Sequence, residues 1–309
     1  MKNIYEVASA NKRKSAIILV LFVLFIGFSI YIISQAVGFY LGYELSGLGV
    51  AGVALIISGL MSFGGYYFSD RIVLSISRAR PADRNKEFNF FTACENLSLA
   101  ADIPKPRLFV IEDTALNAFA TGRNPEHAVI CITSGLIDSL DRTELEGVIA
   151  HEFTHIRNYD TRLMSIVTVL VGVIALLGDW FLRMSWHGGK SRDRDKGSFG
   201  AVIMIVGIIF AILSPIIAQL IKLAISRRRE FMADAGAVEL TRQPLGLILA
   251  LTKISNDHEP LEAANKATAH LYIANPFKDK IKGGVGWFSG LFNTHPPIEE
   301  RIKVLQQMA

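Results

Sequence analysis

The chain has 309 residues, 51% of them hydrophobic, and a mean hydropathy of +0.36, more apolar surface than a soluble globular protein of this size needs. A net charge of +4 and a pI near 9.0 do not signal nucleic acid: Lys12 to Lys14, Arg71 with Arg78, Arg80 and Arg84, and Arg227 to Arg229 all flank apolar runs, where membrane phospholipid accounts for them. Cys94 and Cys131 are the only cysteines, which excludes a disulfide framework and predicts two buried free thiols in a reducing compartment.

Four apolar runs, Ala16 to Val37, Leu48 to Phe68, Leu163 to Leu182 and Ala201 to Ile225, are each about twenty residues or longer and almost free of charge, which predicts four transmembrane helices. The first is too long for a signal core, lacks a clear cleavage site and is soon followed by a second, so it reads as a retained anchor. Residues 1–70 are thus a membrane hairpin, 71–160 a soluble part, 161–225 a second hairpin and 226–309 a soluble tail that returns to the same side. The loop Gly38 to Gly47 has no Lys or Arg, so the positive-inside rule puts it outside and the soluble parts in the cytoplasm. The second hairpin's own loop is basic, with Arg183, Lys190, Arg192, Arg194 and Lys196. Either it crosses despite its charge, or its two segments pack on the soluble part or dip into the bilayer; their length favours crossing. Trp180 and Trp186 read as interfacial anchors.

Phe88 to Ala101 has the period of an amphipathic helix, ended by Pro104 and Pro106. "RLFVIED" (Arg107 to Asp113) and "HAVICIT" (His127 to Thr133) read as strands, with "GRNPEH" as turn chemistry after "NAFAT". Asp141 or Thr143, with Glu144 or Glu146 three residues on, can cap the next helix.

That helix carries "AHEFTH". His151 and His155 are four residues apart, so their rings share one face at a separation that a tetrahedral zinc can bridge. Glu152 stands beside His151, placed to touch a zinc-bound water without ligating the metal. Read alone, the motif is equally an amphipathic helix with two ordinary histidines. A catalytic zinc needs a third protein ligand, and "SRRREFMADAGAVEL" (Ser226 to Leu240) offers Glu230 as ligand, with Asp234 four residues on to accept the free N–H of a ligating histidine. The bland alternative is a solvated charged face. A second oxyanion donor is also wanted, and His295 in "NTHPPIEERI" is the candidate, with Arg301 behind it; His295-Pro296-Pro297 equally reads as the start of a terminal helix over Ile298 to Met308. His127, His187, His258 and His270 read as surface or loop histidines, and Met232 as core.

These motifs, with "NAFATG" at Asn117 to Gly122 and "HPPIEERI" at His295 to Ile302, resemble the HtpX family of membrane-bound zinc metalloproteases over nearly the whole chain. The resemblance implies an α+β membrane protein, four transmembrane helices with a zincin-like, mainly helical catalytic domain and a small sheet. It also implies one zinc ion per chain on His151, His155 and Glu230, and Glu152 as catalytic base. "NAFAT" becomes the sheet edge that takes substrate as an added strand, with Asn117 or Ala118 nearest the peptide, although it equally reads as an ordinary short strand. The expected activity is endopeptidase cleavage of misfolded or damaged membrane proteins at the cytoplasmic face of a bacterial inner membrane, with polypeptide and membrane lipid as partners and no nucleic acid. A dedicated processing peptidase and a zinc protein that binds polypeptides without cutting them are the rivals; the intact Glu152 argues against the second.

Overall fold

Two long apolar helices open the chain, α1 (Ile4–Leu41) and α2 (Gly47–Tyr67). Their windows Glu6–Tyr31 and Val50–Tyr67 have mean hydropathies of 2.3 and 1.5, long and apolar enough to cross a membrane. Asn11, Ser15, Ile18, Phe22 and Ile26 form a buried stripe along α1 at helical spacing, while Ile17, Leu21, Leu24 and Phe28 face outward. The computed structural model describes residues 4–41, 47–170, 226–264, 268–277 and 296–309. Of the third predicted span only 163–170 is described, within a helical run over 160–170; its remainder, the fourth span, the basic loop with His187, Trp180 and Trp186, and His295 lie outside the described residues.

After α3 (Ser69–Ile76) and a two-residue β1 (Arg80–Pro81), α4 (Phe88–Ala101) coincides with the predicted helix. It ends at Ala101, ahead of both prolines, because Asp102 adopts a left-handed cap (φ 51°, ψ 48°). Then β2 (Arg107–Ile111), β3 (Ala118–Thr121) and β4 (Val129–Thr133) complete a sheet of order β1-β2-β4-β3, with β2 and β4 parallel and the other pairs antiparallel. His127 belongs to a 3-10 turn before β4 rather than to the strand.

All of β4 is buried, because the sheet has a core on each face. Ile130 and Ile132 join one core, with Phe153 and Ile156 of the histidine helix; Val129 and Cys131 join the other, with Ile18, Phe22 and Ile26 of α1. The first apolar helix thus shares one buried cluster with this face of the sheet. Cys94 and Cys131 are buried free thiols, and burial pushes both thiols well up from their ordinary pKa.

After the short α5 (Ser134–Ser139), Asp141 caps α6 (Arg142–Arg157) with a reciprocal box: its carboxylate accepts from the Glu144 amide, and Glu144 accepts from the Asp141 amide, both at 2.8 Å. Beyond the second apolar region come α7 (Arg227–Thr241), α8 (Pro244–Asn256) and α9 (Ile298–Gln306). α7 and α8 pack on α6, and α9 packs on both.

Candidate metal centre

α6 and α7 meet where glycine allows it. A Cβ on Gly236 would lie 2.4 Å from Cγ2 and 2.7 Å from Oγ1 of Thr154, so only a bare backbone lets the helices close to this distance. The closure brings Glu230 over the two histidines, all three buried.

His151 Nε2 and His155 Nε2 are 3.2 Å apart, and Glu230 places Oε2 3.7 Å from the first and Oε1 3.6 Å from the second. Behind the rings, His151 Nδ1 lies 2.9 Å from Asp234 and His155 Nδ1 lies 3.1 Å from Asp160. A carboxylate accepts, so each Nδ1 carries the hydrogen, and the Nε2 of each neutral ring turns a lone pair into the gap. Two lone pairs and a carboxylate facing one another call for positive charge among them, from a metal ion or from a second proton on one ring. Ligands held at about 2.0 to 2.1 Å from a tetrahedral zinc are about 3.3 Å apart, so the donor set fits.

The demand for positive charge also shows in the protonation equilibria, where a second proton on His155 meets it until a metal ion takes its place. Burial works against the charged form of His155, but the Asp160 hydrogen bond and the Glu230, Asp160 and Glu152 charges outweigh it and push its pKa up to about 9. His151 goes the other way, held down to about 4 by burial and the Arg301 charge against the pull of Asp234. Burial opposes ionisation of Asp234, yet Arg301 holds that carboxyl down to about 2. Glu152, also buried, is pushed up to about 7 by desolvation, helped by Glu230 and opposed by His155 and by a hydrogen bond from the Ala120 amide.

Arg301 is fully buried and donates to both oxygens of Asp234, at 2.9 and 2.6 Å. Its remaining terminal nitrogen lies 3.4 Å from the Ile273 carbonyl and 3.7 Å from Glu230, so the guanidinium spans the back of His151 and the flank of the third acceptor. β3 is the edge of the sheet, but the chain itself covers part of it: the Ile273 backbone amide donates to the Ala118 carbonyl at 2.9 Å, and the Asn117 side-chain amide donates to the Ala274 carbonyl at 3.1 Å. His270, expected at the surface, is instead fully buried in a 3-10 turn, with Nε2 3.0 Å from the Thr168 hydroxyl; a polar stretch in sequence is here folded under the helical run over 160–170. His258 is exposed.

Asp160 and Asn11 were not singled out in the sequence. Asp160 is five residues beyond His155, across a turn that returns it to the ring, and that short spacing is the one signal that marks it. Asn11 lies 147 residues before Asn158, and nothing local marks it.

A buried helical pair of histidines completed by a glutamate from a second helix is the site type of the HExxH metallopeptidases. The family model for peptidase family M48 matches residues 90–309. A protease HtpX homolog of Dictyoglomus thermophilum is 44% identical over 304 residues, 98% of this chain and 94% of that protein. Another, from Ligilactobacillus salivarius, is 41% identical over 308 residues, 99% of this chain and 100% of the relative. Among solved structures, the crystal structure of S. mikatae Ste24p aligns with 90% of this chain and 62% of that one, at 18% identity and a TM-score of 0.46. The chain belongs to the HtpX family of membrane metalloproteases within peptidase family M48.

Proposed function

We propose that the protein is an integral-membrane zinc endopeptidase that hydrolyses peptide bonds of unfolded or damaged membrane proteins at the cytoplasmic face of a bacterial inner membrane. The observation that carries the reading is the gap in which His151, His155 and Glu230 turn three acceptors toward one point, with Glu152 buried alongside. In this reading those three residues hold one zinc ion per chain, Asp234 and Asp160 fix the tautomers of the two histidines, and Glu152 is the base. When bound, zinc supplies a Lewis acid for the peptide carbonyl and a water of lowered pKa.

Glu152 takes the proton of the attacking water and delivers it to the leaving amine, a task that suits a carboxyl whose pKa burial has raised to about 7. His295 is the proposed second oxyanion donor. Asn117 and Ala118 receive the substrate backbone, and a peptide adding to β3 takes the Ala118 carbonyl over from the Ile273 amide. Backbone pairing of this kind reads little sequence, which suits varied unfolded substrates.

The test compares wild type with Glu152→Gln, both purified in detergent and loaded with zinc, on an unfolded protein. The variant should keep its zinc and lose cleavage by on the order of 10²-fold or more. Equal cleavage by the two would overturn the role of Glu152, and cleavage by neither would make the protein a polypeptide binder.

A further inference from the structure

The buried stripe of α1 begins with a polar residue that reaches the candidate metal centre. Asn11 is 3% exposed, and its side-chain amide donates to the Asn158 carbonyl at 3.0 Å and to Asp160 Oδ1 at 2.8 Å. The other oxygen of Asp160 faces His155 Nδ1. A chain of contacts therefore runs from the first apolar helix through Asn11 and Asp160 to a proposed ligand.

The segment Asn11 grips is one that needs holding. α6 stops at Arg157, Asn158 and Tyr159 form a turn, and the helical run resumes at residue 160. Tyr159 sits in the left-handed region at φ 58°, which a side chain disfavours and which persists only where surroundings enforce it. Those surroundings come from α1: Asn11 bonds the turn on one side, and the Lys12 ammonium lies 4.0 Å from the centre of the Tyr159 ring. Arg229 of α7 adds a guanidinium 3.7 Å from Asp160. Without Asn11, Asp160 Oδ1 loses its closest hydrogen-bond donor and the carboxylate is free to rotate away from His155.

We propose that Asn11 is a positioning residue for the metal centre: it orients Asp160, which fixes the ring of His155, so that the first membrane helix supplies through this one side chain a support of the metal site. This rests on the zinc reading above. Outer-sphere partners of metal-bound histidines typically contribute ten- to a hundredfold in metal affinity.

The experiment measures zinc affinity of the full-length protein in detergent, by competition with a chromophoric chelator, together with the visible spectrum of the cobalt-substituted form. Asn11→Ala and Asn11→Leu should bind zinc at least about tenfold more weakly and shift the cobalt bands, and Asn11→Gln, which keeps the amide, should retain more affinity than Asn11→Ala. Ile18→Ala trims the same buried stripe without touching the network and should leave affinity and spectrum unchanged. In an Asp160→Asn background, Asn11→Leu should add little, because the two act in series. Wild-type affinity and cobalt spectrum in Asn11→Ala, an equal loss in Ile18→Ala, or additive losses with Asp160→Asn would each overturn the inference. A wild-type protein that binds no zinc would instead overturn the metal site itself, and this inference with it.

Discussion

His151 and His155 turn their Nε2 atoms toward each other across 3.2 Å, while the opposite nitrogen of each ring rests against a carboxylate. Added positive charge, a second proton on His155 or a metal ion, relieves this without loosening the hold on Asp234 or Asp160. Glu230 adds a negative charge to the same space. The chain folds into a cation site whose parts come from α6 and α7 and whose supports come from the 158–160 turn, α9 and α1.

The closure of α6 on α7 predicts a specific steric lesion. Gly236→Ala forces a methyl group to 2.4 Å from Thr154 Cγ2, and such overpacking costs about 1–3 kcal/mol. Thermal unfolding should show that loss, together with weaker zinc binding as Glu230 moves off the histidines. Adding Thr154→Ala removes both crowded atoms and should restore much of each. A neutral Gly236→Ala would mean that the helices do not pack this closely.

The Arg301–Asp234 pair is fully buried, so breaking it leaves a charge without its partner. Arg301→Met should destabilise the protein by about 3–5 kcal/mol. Replacing both partners, with Asp234→Leu added, should recover most of that stability but not zinc affinity, because His151 still lacks its acceptor. Equal recovery of stability and affinity would contradict the orienting role of Asp234.

The raised pKa of Glu152 makes a prediction with a definite sign. Its native value near 7 lies above the ordinary 4.5, so the native state holds the proton more tightly. The contribution to stability is complete below about pH 4.5 and is lost as pH rises through about 7, on the order of 3 kcal/mol in all. In chelator, the melting temperature of Glu152→Gln should therefore gain on wild type between pH 5 and pH 8. A difference that is constant with pH would contradict the burial of an ionisable carboxyl here.

Cys94 and Cys131 should resist an alkylating reagent at pH 8 in the folded protein and react in denaturant, since both are buried and their thiolates are disfavoured. That silence makes the native chain a blank background for topology. With an impermeant thiol reagent, Glu44→Cys should label in intact cells and Lys86→Cys only after lysis. The reverse pattern would put the catalytic face outside.

Much of this was legible where the signal is local. The helix over Phe88–Ala101 follows from period, and the Asp141 cap with Glu144 follows from spacing. The strands β2 and β4 follow from short apolar runs between turn residues. What escaped depends on chain reversal. Asp160 reaches His155 only because Tyr159 takes a left-handed conformation, and no propensity of tyrosine announces that. Arg301 reads as a candidate for the oxyanion until α9 packs it against Asp234. The β3 edge reads as open until the segment with Ile273 returns from more than a hundred residues away to cover Ala118. His270 looks solvated for the same reason, since its burial is supplied by a distant helix rather than by its neighbours in sequence.

The most direct test of the central claim is the zinc content of the purified full-length protein after equilibration with a weak chelator, measured for wild type, Glu152→Gln and Glu230→Gln. Three acceptors converging on one gap predict about one zinc per chain in wild type and in Glu152→Gln, and well under one in Glu230→Gln. Full zinc content in Glu230→Gln, or none in wild type, would contradict the account.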